Sequence, residues 1–507
     1  MNMVTRVKPS AVRLYAPLGT EPVEGQTNRG FSGLSPDEIS RTFRGWLMPF
    51  RILYVGILLL TSGCNLLTEY QRPTVETPAQ WHEQTQSGSA AVDPQWWQAF
   101  SSSQLNRLMS EALAYNNDLA AARQRVEQAR AQAKIAGAGL WPAASLSGDF
   151  TDSRNNKTDS QQTSGQIDIG YEVDLWGANR ARRDAGTALM LSQIFARDAL
   201  QLVVMADVGQ AYFNLLAIQE RRQIASDFLD TVNAILTIIE ARQQAGAAYV
   251  LEVAQQRTAQ ANARASLDLL IQQQTLAENS LTILLGHPPQ TVPLEAARFA
   301  DLVVPGIAAE QPATLLQRRP DIGQLEMQLI AANAGIAVAR AAFYPKLQLS
   351  LGSILANPQP AGVAATLAAG LTQPLFQGGR LEGALSNALA ANAELAETYR
   401  KTVLTAFKEV EDAAATYNNS SRRLKALQTA TEQARLAYNI SQERYRLGAI
   451  DYQALLNTQS SYLSTENSRV QARLDVLVAQ VQLYKALGGG WSLSEQNTDL
   501  SDLAPGP

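Results

Sequence analysis

Cysteine is almost absent from the 507-residue chain: Cys64 stands alone, so no disulfide can form within one molecule. Histidine is nearly as scarce, with only His82 and His287, so neither a Cys/His metal cluster nor a histidine-based catalytic dyad is easily assembled. No Gly-Lys-Ser/Thr phosphate loop, Gly-x-Ser-x-Gly elbow or His-Glu-x-x-His pair occurs. Charged residues make up 17% and aromatics 7%, and the formal charge of −4 excludes the basic footprint of a nucleic-acid binder. Proline is missing from 143 to 287 and again from 375 to 504. Because an interior proline removes a hydrogen bond and collides with the preceding turn, those two stretches are free to be helical throughout.

What is present begins with a short apolar run, RILYVGILLL (51–60), too short to span a bilayer as a helix. Arg51 before it and Leu60-Thr61-Ser62-Gly63-Cys64 after it give a basic flank, an apolar core and small residues at a cut site, the layout of a secretory signal. The pattern resembles a bacterial lipoprotein lipobox, which implies a covalent lipid on Cys64. By the same resemblance, Asn65 rather than Asp favours sorting to the outer membrane. Met48 opens a compact signal (48–63), leaving 1–47 as an upstream extension without structural meaning; a genuine extension removed with the signal gives the same mature chain. Seven of the 42 Lys/Arg and four of the 46 Asp/Glu precede Cys64, so that mature chain carries −7.

The dominant pattern is an internal duplication. Gly177 and Gly379, Gly246 and Gly448, Gly286 and Gly488 are each 202 residues apart. Their contexts match: DLWG with PLFQGG, ARQQAG with ERYRLG, LTILLG with LYKALG, and upstream AGLWPAASLSG with AAFYPKLQLSLG. The 68 residues between the first two glycines of each copy would extend on the order of 100 Å as one helix. A 39-residue arm returns to the third glycine. Each copy is therefore expected to hold a long helical hairpin turning at GAAY (246–249) or GAIDY (448–452). Leu456, Leu463, Val470, Leu477 and Tyr484 fall seven apart in the second returning arm, a coiled-coil seam.

Before each hairpin the period changes to two. Ile167, Ile169, Tyr171, Val173 and Leu175 alternate with Asp168, Gly170, Glu172 and Asp174, as Leu347, Leu349 and Leu351 do with Gln348, Ser350 and Gly352. The predicted strands are 143–150 with 166–175 and 346–353 with 363–373, joined by polar or Pro/Gly-containing loops. Strands of this length can cross a bilayer tilted, with apolar side chains toward lipid. Four cannot close, and unpaired backbone in hydrocarbon costs several kcal/mol per group, so other copies of the chain are required. Two, three or four copies would all satisfy the edges.

The chain resembles the TolC-type outer-membrane factors, most closely the lipoprotein branch serving resistance-nodulation-division efflux pumps. The likeness covers essentially 64–490 and rests on the lipobox together with WWQAF (96–100), YEVDLWG (171–177), LLQRRPDI (315–322), FYPKLQLS (343–350), QPLFQGG (373–379) and ERYRLGAIDYQALLNTQ (443–459). It implies an α+β membrane protein that assembles as a homotrimer, with a 12-stranded outer-membrane β-barrel above a 12-stave periplasmic α-helical barrel. The segments are then a first repeat with its N-terminal lead (64–285), a linker or equatorial region (286–320), a second repeat (321–490) and a tail (491–507). The implied function is passive conduction of drugs or other small molecules from an inner-membrane pump and its periplasmic adaptor to the cell exterior, with no enzyme activity and no cofactor beyond the Cys64 lipid. Gly246, Tyr249, Gly448 and Tyr452 are expected at the hairpin tips that meet adaptor or pump, and Tyr445, Asp451, Gln453 and Asn457 at the periplasmic aperture. Asn457 departs from the family pattern, in which the LLNTQ position reads LLDxQ, so a carboxylate ring there is missing; as an ordinary polar position Asn457 would simply flank the seam.

Other residues have structural readings. Trp96 and Trp97 are expected to pack the N-terminal segment against the helices. Glu409, Glu411 and Asp412 read as a solvated or lumen-facing surface rather than catalytic acids, and Arg318-Arg319-Pro320-Asp321 as a linker end and helix start. The rival reading is a lipid-anchored periplasmic coiled-coil adaptor or scaffold that never spans the membrane. Adaptors share helical hairpins, but lack paired amphipathic strands before each hairpin and lack the duplication.

Overall fold

A computed structural model of the chain describes residues 69–83, 93–155, 158–293, 299–306, 311–357 and 363–490, all within the unit Cys64–Pro507. Cys64, the signal segment, residues 1–47 and the tail from 491 lie outside the described residues.

The duplication is visible element by element. The first copy contains α1 (Ser103–Tyr115), α2 (Asn117–Gly137), β1 (Ala143–Asn155), β2 (Thr158–Val173), α3 (Ala178–Gln244) and α4 (Val250–Leu284). The second contains α5 (Leu315–Arg318), α6 (Pro320–Ala341), β3 (Lys346–Asn357), β4 (Val363–Thr372), α7 (Arg380–Arg446) and α8 (Tyr452–Ala486). Both long helices are continuous over 67 residues, about 100 Å, and both returning helices have 35. Arg319-Pro320 opens α6 with proline in its first turn, where a missing N–H costs nothing.

The second and third repeated glycines of each copy end the helices of its hairpin. At Gly246 the Ala247 N–H reaches Arg242 O (2.7 Å) and the Gly246 N–H reaches Gln243 O (3.0 Å); the same pair of bonds recurs at Gly286, Gly448 and Gly488. Each glycine has φ between 73° and 78°, a left-handed conformation that a Cβ makes costly. The third glycines are constrained twice. A Cβ on Gly286 would collide with the Tyr115 carbonyl, and one on Gly488 with the Arg318 carbonyl, so each hairpin closes against the residue that ends the short helix of its own copy.

The four strands form one antiparallel sheet, β1-β2-β3-β4, in which β1 and β4 are edges. Register places Leu146 opposite Ile167, Ile169 opposite Leu351, Tyr171 opposite Leu349, Leu351 opposite Leu367 and Leu347 opposite Leu371. One face is therefore apolar across all four strands. The other carries Ser145, Ser147, Asp149, Gln166, Asp168, Glu172, Gln348, Ser350, Thr366 and Thr372. The expected polar loop 151–166 is a correction: β1 runs on to Asn155 and β2 begins at Thr158, and β3 likewise continues to Asn357. The β1–β2 extension pairs polar with polar residues, Thr151 with Gln162 and Ser153 with Ser160, so no alternation of hydropathy marks it; the β3 extension carries Ile354, Leu355 and Ala356 in succession, a run without alternation.

The main core lies where both copies meet. Trp96, Phe100, Met109, Leu202 to Ile218 of α3, Leu281, Ile322, Tyr399 to Val410 of α7 and Val470 to Leu487 of α8 all contribute. Trp96 is 2% exposed and stacks on Tyr484 at 5.1 Å, as the packing role of this motif requires. Of the expected seam, Val470, Leu477 and Tyr484 are buried, but so are Ala472, Leu474, Val476, Ala479, Val481 and Leu483, so the second half of α8 is buried over more than one stripe, whereas Leu456 and Leu463 lie half-buried.

Gly286→Ala should lower stability by more than Gly246→Ala. Both bear the left-handed penalty of roughly 1–2 kcal/mol, but only the first adds a backbone collision, since nothing lies within 4 Å of a Cβ at Gly246. Thermal unfolding of the two purified variants checks the order.

Candidate functional site: the hairpin tips

The ends of the two hairpins farthest in sequence from the sheet share a small second core. Ile235 and Ile239 of α3, Val253 of α4, Tyr438 and Tyr445 of α7, and Tyr452 and Leu455 of α8 pack together. Tyr445 and Tyr452 meet edge to face at 5.9 Å, Tyr438 stacks on Tyr462 at 5.8 Å, and the Arg242 guanidinium lies 5.3 Å from the centre of the Tyr445 ring. The Tyr452 hydroxyl donates to Gln256 Oε1, and Gln256 Nε2 donates to Val232 O at 2.7 Å. This fully buried amide ties the start of α8 to the first hairpin. Higher up, Arg469 pairs with Glu220 at 2.7 Å and Arg221 with Asn467 at 3.2 Å, so α3 and α8 are cross-linked over several turns. A groove of about 580 Å³ opens between α3, α4 and α8, bordered by Phe228, Leu269, Leu456 and Leu463.

The predicted site residues divide into two groups. Asp451, Gln453 and Asn457 are exposed at the start of α8. Asp451 accepts the Ala454 N–H at 2.8 Å as the helix cap, and Gln453 donates to Asn457 at 3.0 Å one turn on. Gly246, Gly448 and Tyr249 are exposed at the turns. Tyr452, expected at the docking surface, is instead 4% exposed, because the first turn of α8 faces the paired hairpin; Tyr445 is buried beside it. Gln256 and Arg242 were not singled out from sequence: a glutamine among many on a polar helix carries no local sign of burial.

The three acids Glu409, Glu411 and Asp412 of α7 are each engaged by a neighbour. Glu409 binds Arg319 at 2.6 Å, Asp412 binds Lys408 at 2.5 Å, and Glu411 accepts the backbone N–H groups of His82 (2.8 Å) and Glu83 (3.0 Å). Arg319 also grips Asp321 at 2.7 Å, which joins the start of α6 to α7. The N-terminal strand of chain is held further by Arg72, which forks onto Glu326 at 2.7 and 2.5 Å. Among the described residues no group of His, Cys, Asp and Glu is arranged to hold a metal.

An open-edged sheet with one apolar face, followed twice by a 100 Å hairpin, defines a channel-forming membrane protein. A family model described as "Outer membrane efflux protein" matches residues 108–287 and 312–489, one match per copy, and the chain belongs to that family. It is 38% identical over 469 residues to the pyoverdine export outer membrane protein OpmQ of Pseudomonas putida, covering 88% of this chain and 98% of the relative. Identity to the solvent efflux pump outer membrane protein SrpC of Pseudomonas putida is 30% over 470 residues, covering 88% and 100%. Among solved structures, the outer-membrane channel OprN superposes with a TM-score of 0.78 at 25% identity, covering 84% of this chain and 99% of that one. The open state of the Neisseria gonorrhoeae MtrE outer membrane channel gives 0.77 at 25%, covering 84% and 98%. The chain is thus an efflux channel component of the outer membrane.

Burial pushes the Tyr452 phenol up to about 12, with Tyr445 and Glu252 adding to the effect, and burial raises Tyr438, Tyr445 and Tyr462 as well. A phenol whose folded value is raised keeps its contribution below its unfolded value of about 10 and loses it as pH climbs toward 12. The tip should therefore loosen between pH 10 and 12. In an absorbance titration of phenolate, Tyr452→Phe should remove one late-titrating group; an unchanged late phase would mean that Tyr452 is not enclosed.

Proposed function

We propose that three copies of the chain form a passive outer-membrane duct, lipid-anchored at Cys64, that receives cargo from an inner-membrane pump through a periplasmic adaptor. The observation that carries this reading is the sheet: four strands with a continuous apolar face and two unpaired edges need further strands in a bilayer. Three copies would supply twelve strands and, with four long helices each, a ring of twelve staves long enough to cross much of the periplasm. The tips then form the entrance, where Asp451, Gln453 and Asn457 ring the aperture, and Gly246, Tyr249 and Gly448 offer the adaptor its contact surface. The apolar borders of the neighbouring groove suit a helical partner. Relatives are named for pyoverdine, solvent and toluene export, so cargo changes while the scaffold persists, and the pump is the natural source of that selectivity.

Asp451 has two separable roles in this reading, helix cap and aperture charge. Asparagine caps as well as aspartate, whereas alanine loses about 0.5–2 kcal/mol of cap. In planar bilayers the purified protein should conduct; Asp451→Asn should reduce cation preference at little cost in closure, and Asp451→Ala should also raise conductance severalfold. Unchanged conductance and selectivity in both would remove Asp451 from the aperture. Separately, Cys64→Ser should abolish incorporation of labelled palmitate while leaving the fold intact.

A further inference from the structure

The two halves of the sheet meet through an aromatic contact just below the strands. Trp176, three residues past β2, lies 4.7 Å from Tyr344, two residues before β3, and the Trp176 indole N–H donates to Pro345 O at 2.7 Å. Both residues belong to the repeat. Trp176 corresponds to Phe376 through Asp-Leu-Trp and Pro-Leu-Phe, and Tyr344-Pro345 corresponds to Trp141-Pro142. These counterparts flank the free edges: Trp141 precedes β1 and Phe376 follows β4. They are 76% and 89% exposed, against 38% for Tyr344, whose partner is present.

We infer that each seam between copies repeats the β2–β3 junction, with Phe376 of one copy packed on Trp141 of the next and β4 paired antiparallel with β1 in a fixed register. This rests on the trimeric reading above and specifies its interface. Transferring the observed pairs through the repeat gives that register. Tyr171 opposite Leu349 becomes Leu371 opposite Leu146 of the next copy, and Ile167 opposite Ser353 becomes Leu367 opposite Phe150. All four of these residues are large, apolar and exposed on the edge strands, and in this register they meet one another on the apolar face. A shift by one residue would put apolar opposite polar faces, and a shift by two would set Leu371 against Ala144 or Gly148. Phe376 has no donor to replace the Trp176 N–H, so the seam contact is apolar stacking alone.

The test is disulfide formation in the full-length, membrane-extracted protein. Leu371→Cys with Leu146→Cys should give, on oxidation, a ladder of covalent dimer and trimer on non-reducing gels. Leu371→Cys with Ala144→Cys or with Gly148→Cys should give at least tenfold less, and each single-cysteine variant, which retains Cys64, none. A ladder from a shifted pair would overturn this register while leaving the oligomer standing. Absence of any ladder, with chemical cross-linking of the unaltered protein still showing an oligomer, would overturn the seam. An unaltered protein that is monomeric would overturn the trimeric reading itself. As an independent readout, Trp141→Ala should lower the dissociation temperature of the oligomer and Trp141→Tyr, which installs the residue of the second copy, should restore it; equal temperatures for all three would exclude the stacked contact.

Discussion

Backbone pairing is the constraint on which the rest depends. In hydrocarbon an N–H or C=O without a partner costs several kcal/mol, so a sheet that enters a bilayer cannot keep an edge. This chain presents β1 and β4 as edges and a single apolar face between them. Everything below the sheet is consistent with an assembly: two hairpins of equal length, a core in which both copies interlock, and helices that leave Leu189, Leu389, Leu404 and Leu436 exposed along their flanks. α3 alone among the described helices is long and apolar enough, by length and composition, to cross a membrane; less than half of its apolar stretch is buried, while residues between Leu202 and Ile218 contribute to the interlocked core.

Duplication explains how one chain builds both the four-stranded sheet and the two long hairpins. Each copy supplies a strand pair and a hairpin, and the same glycine device stops each of the four hairpin helices. The copies are not equivalent in detail. Asp174 caps the start of α3 by accepting the Asn179 and Arg180 N–H groups, while Pro374 stands at the corresponding place before α7. At the tips the asymmetry is sharper, because Asp451 caps α8 whereas Tyr249, at the equivalent place, has no capping bond. The aperture reading rests on that second tip.

Much of this was legible in sequence because it depends on local rules. Glycine in the left-handed conformation, proline-free runs and period-two hydropathy fixed hairpin ends, helix continuity and the alternating part of the strands. The remainder depends on distant partners. The extensions of β1 and β2 to Asn155 and from Thr158 are not legible because both faces there are polar, and that of β3 because Ile354, Leu355 and Ala356 do not alternate. Tyr452 looked like a tip residue and is buried, because its environment is set by Gln256 on another helix. The Arg319–Glu409 and Arg72–Glu326 pairs join residues 90 and 254 positions apart, a spacing at which no pattern of charge is informative.

The central claim is that the sheet crosses the outer membrane while the hairpin tips remain in the periplasm. It is tested most directly by labelling intact cells with a membrane-impermeant maleimide after placing a cysteine either at Ser153, near the β1–β2 turn, or at Tyr249, at a tip. The account predicts labelling at Ser153→Cys on intact cells and at Tyr249→Cys only after the outer membrane is permeabilised. Ser153→Cys that stays unlabelled until permeabilisation would contradict it.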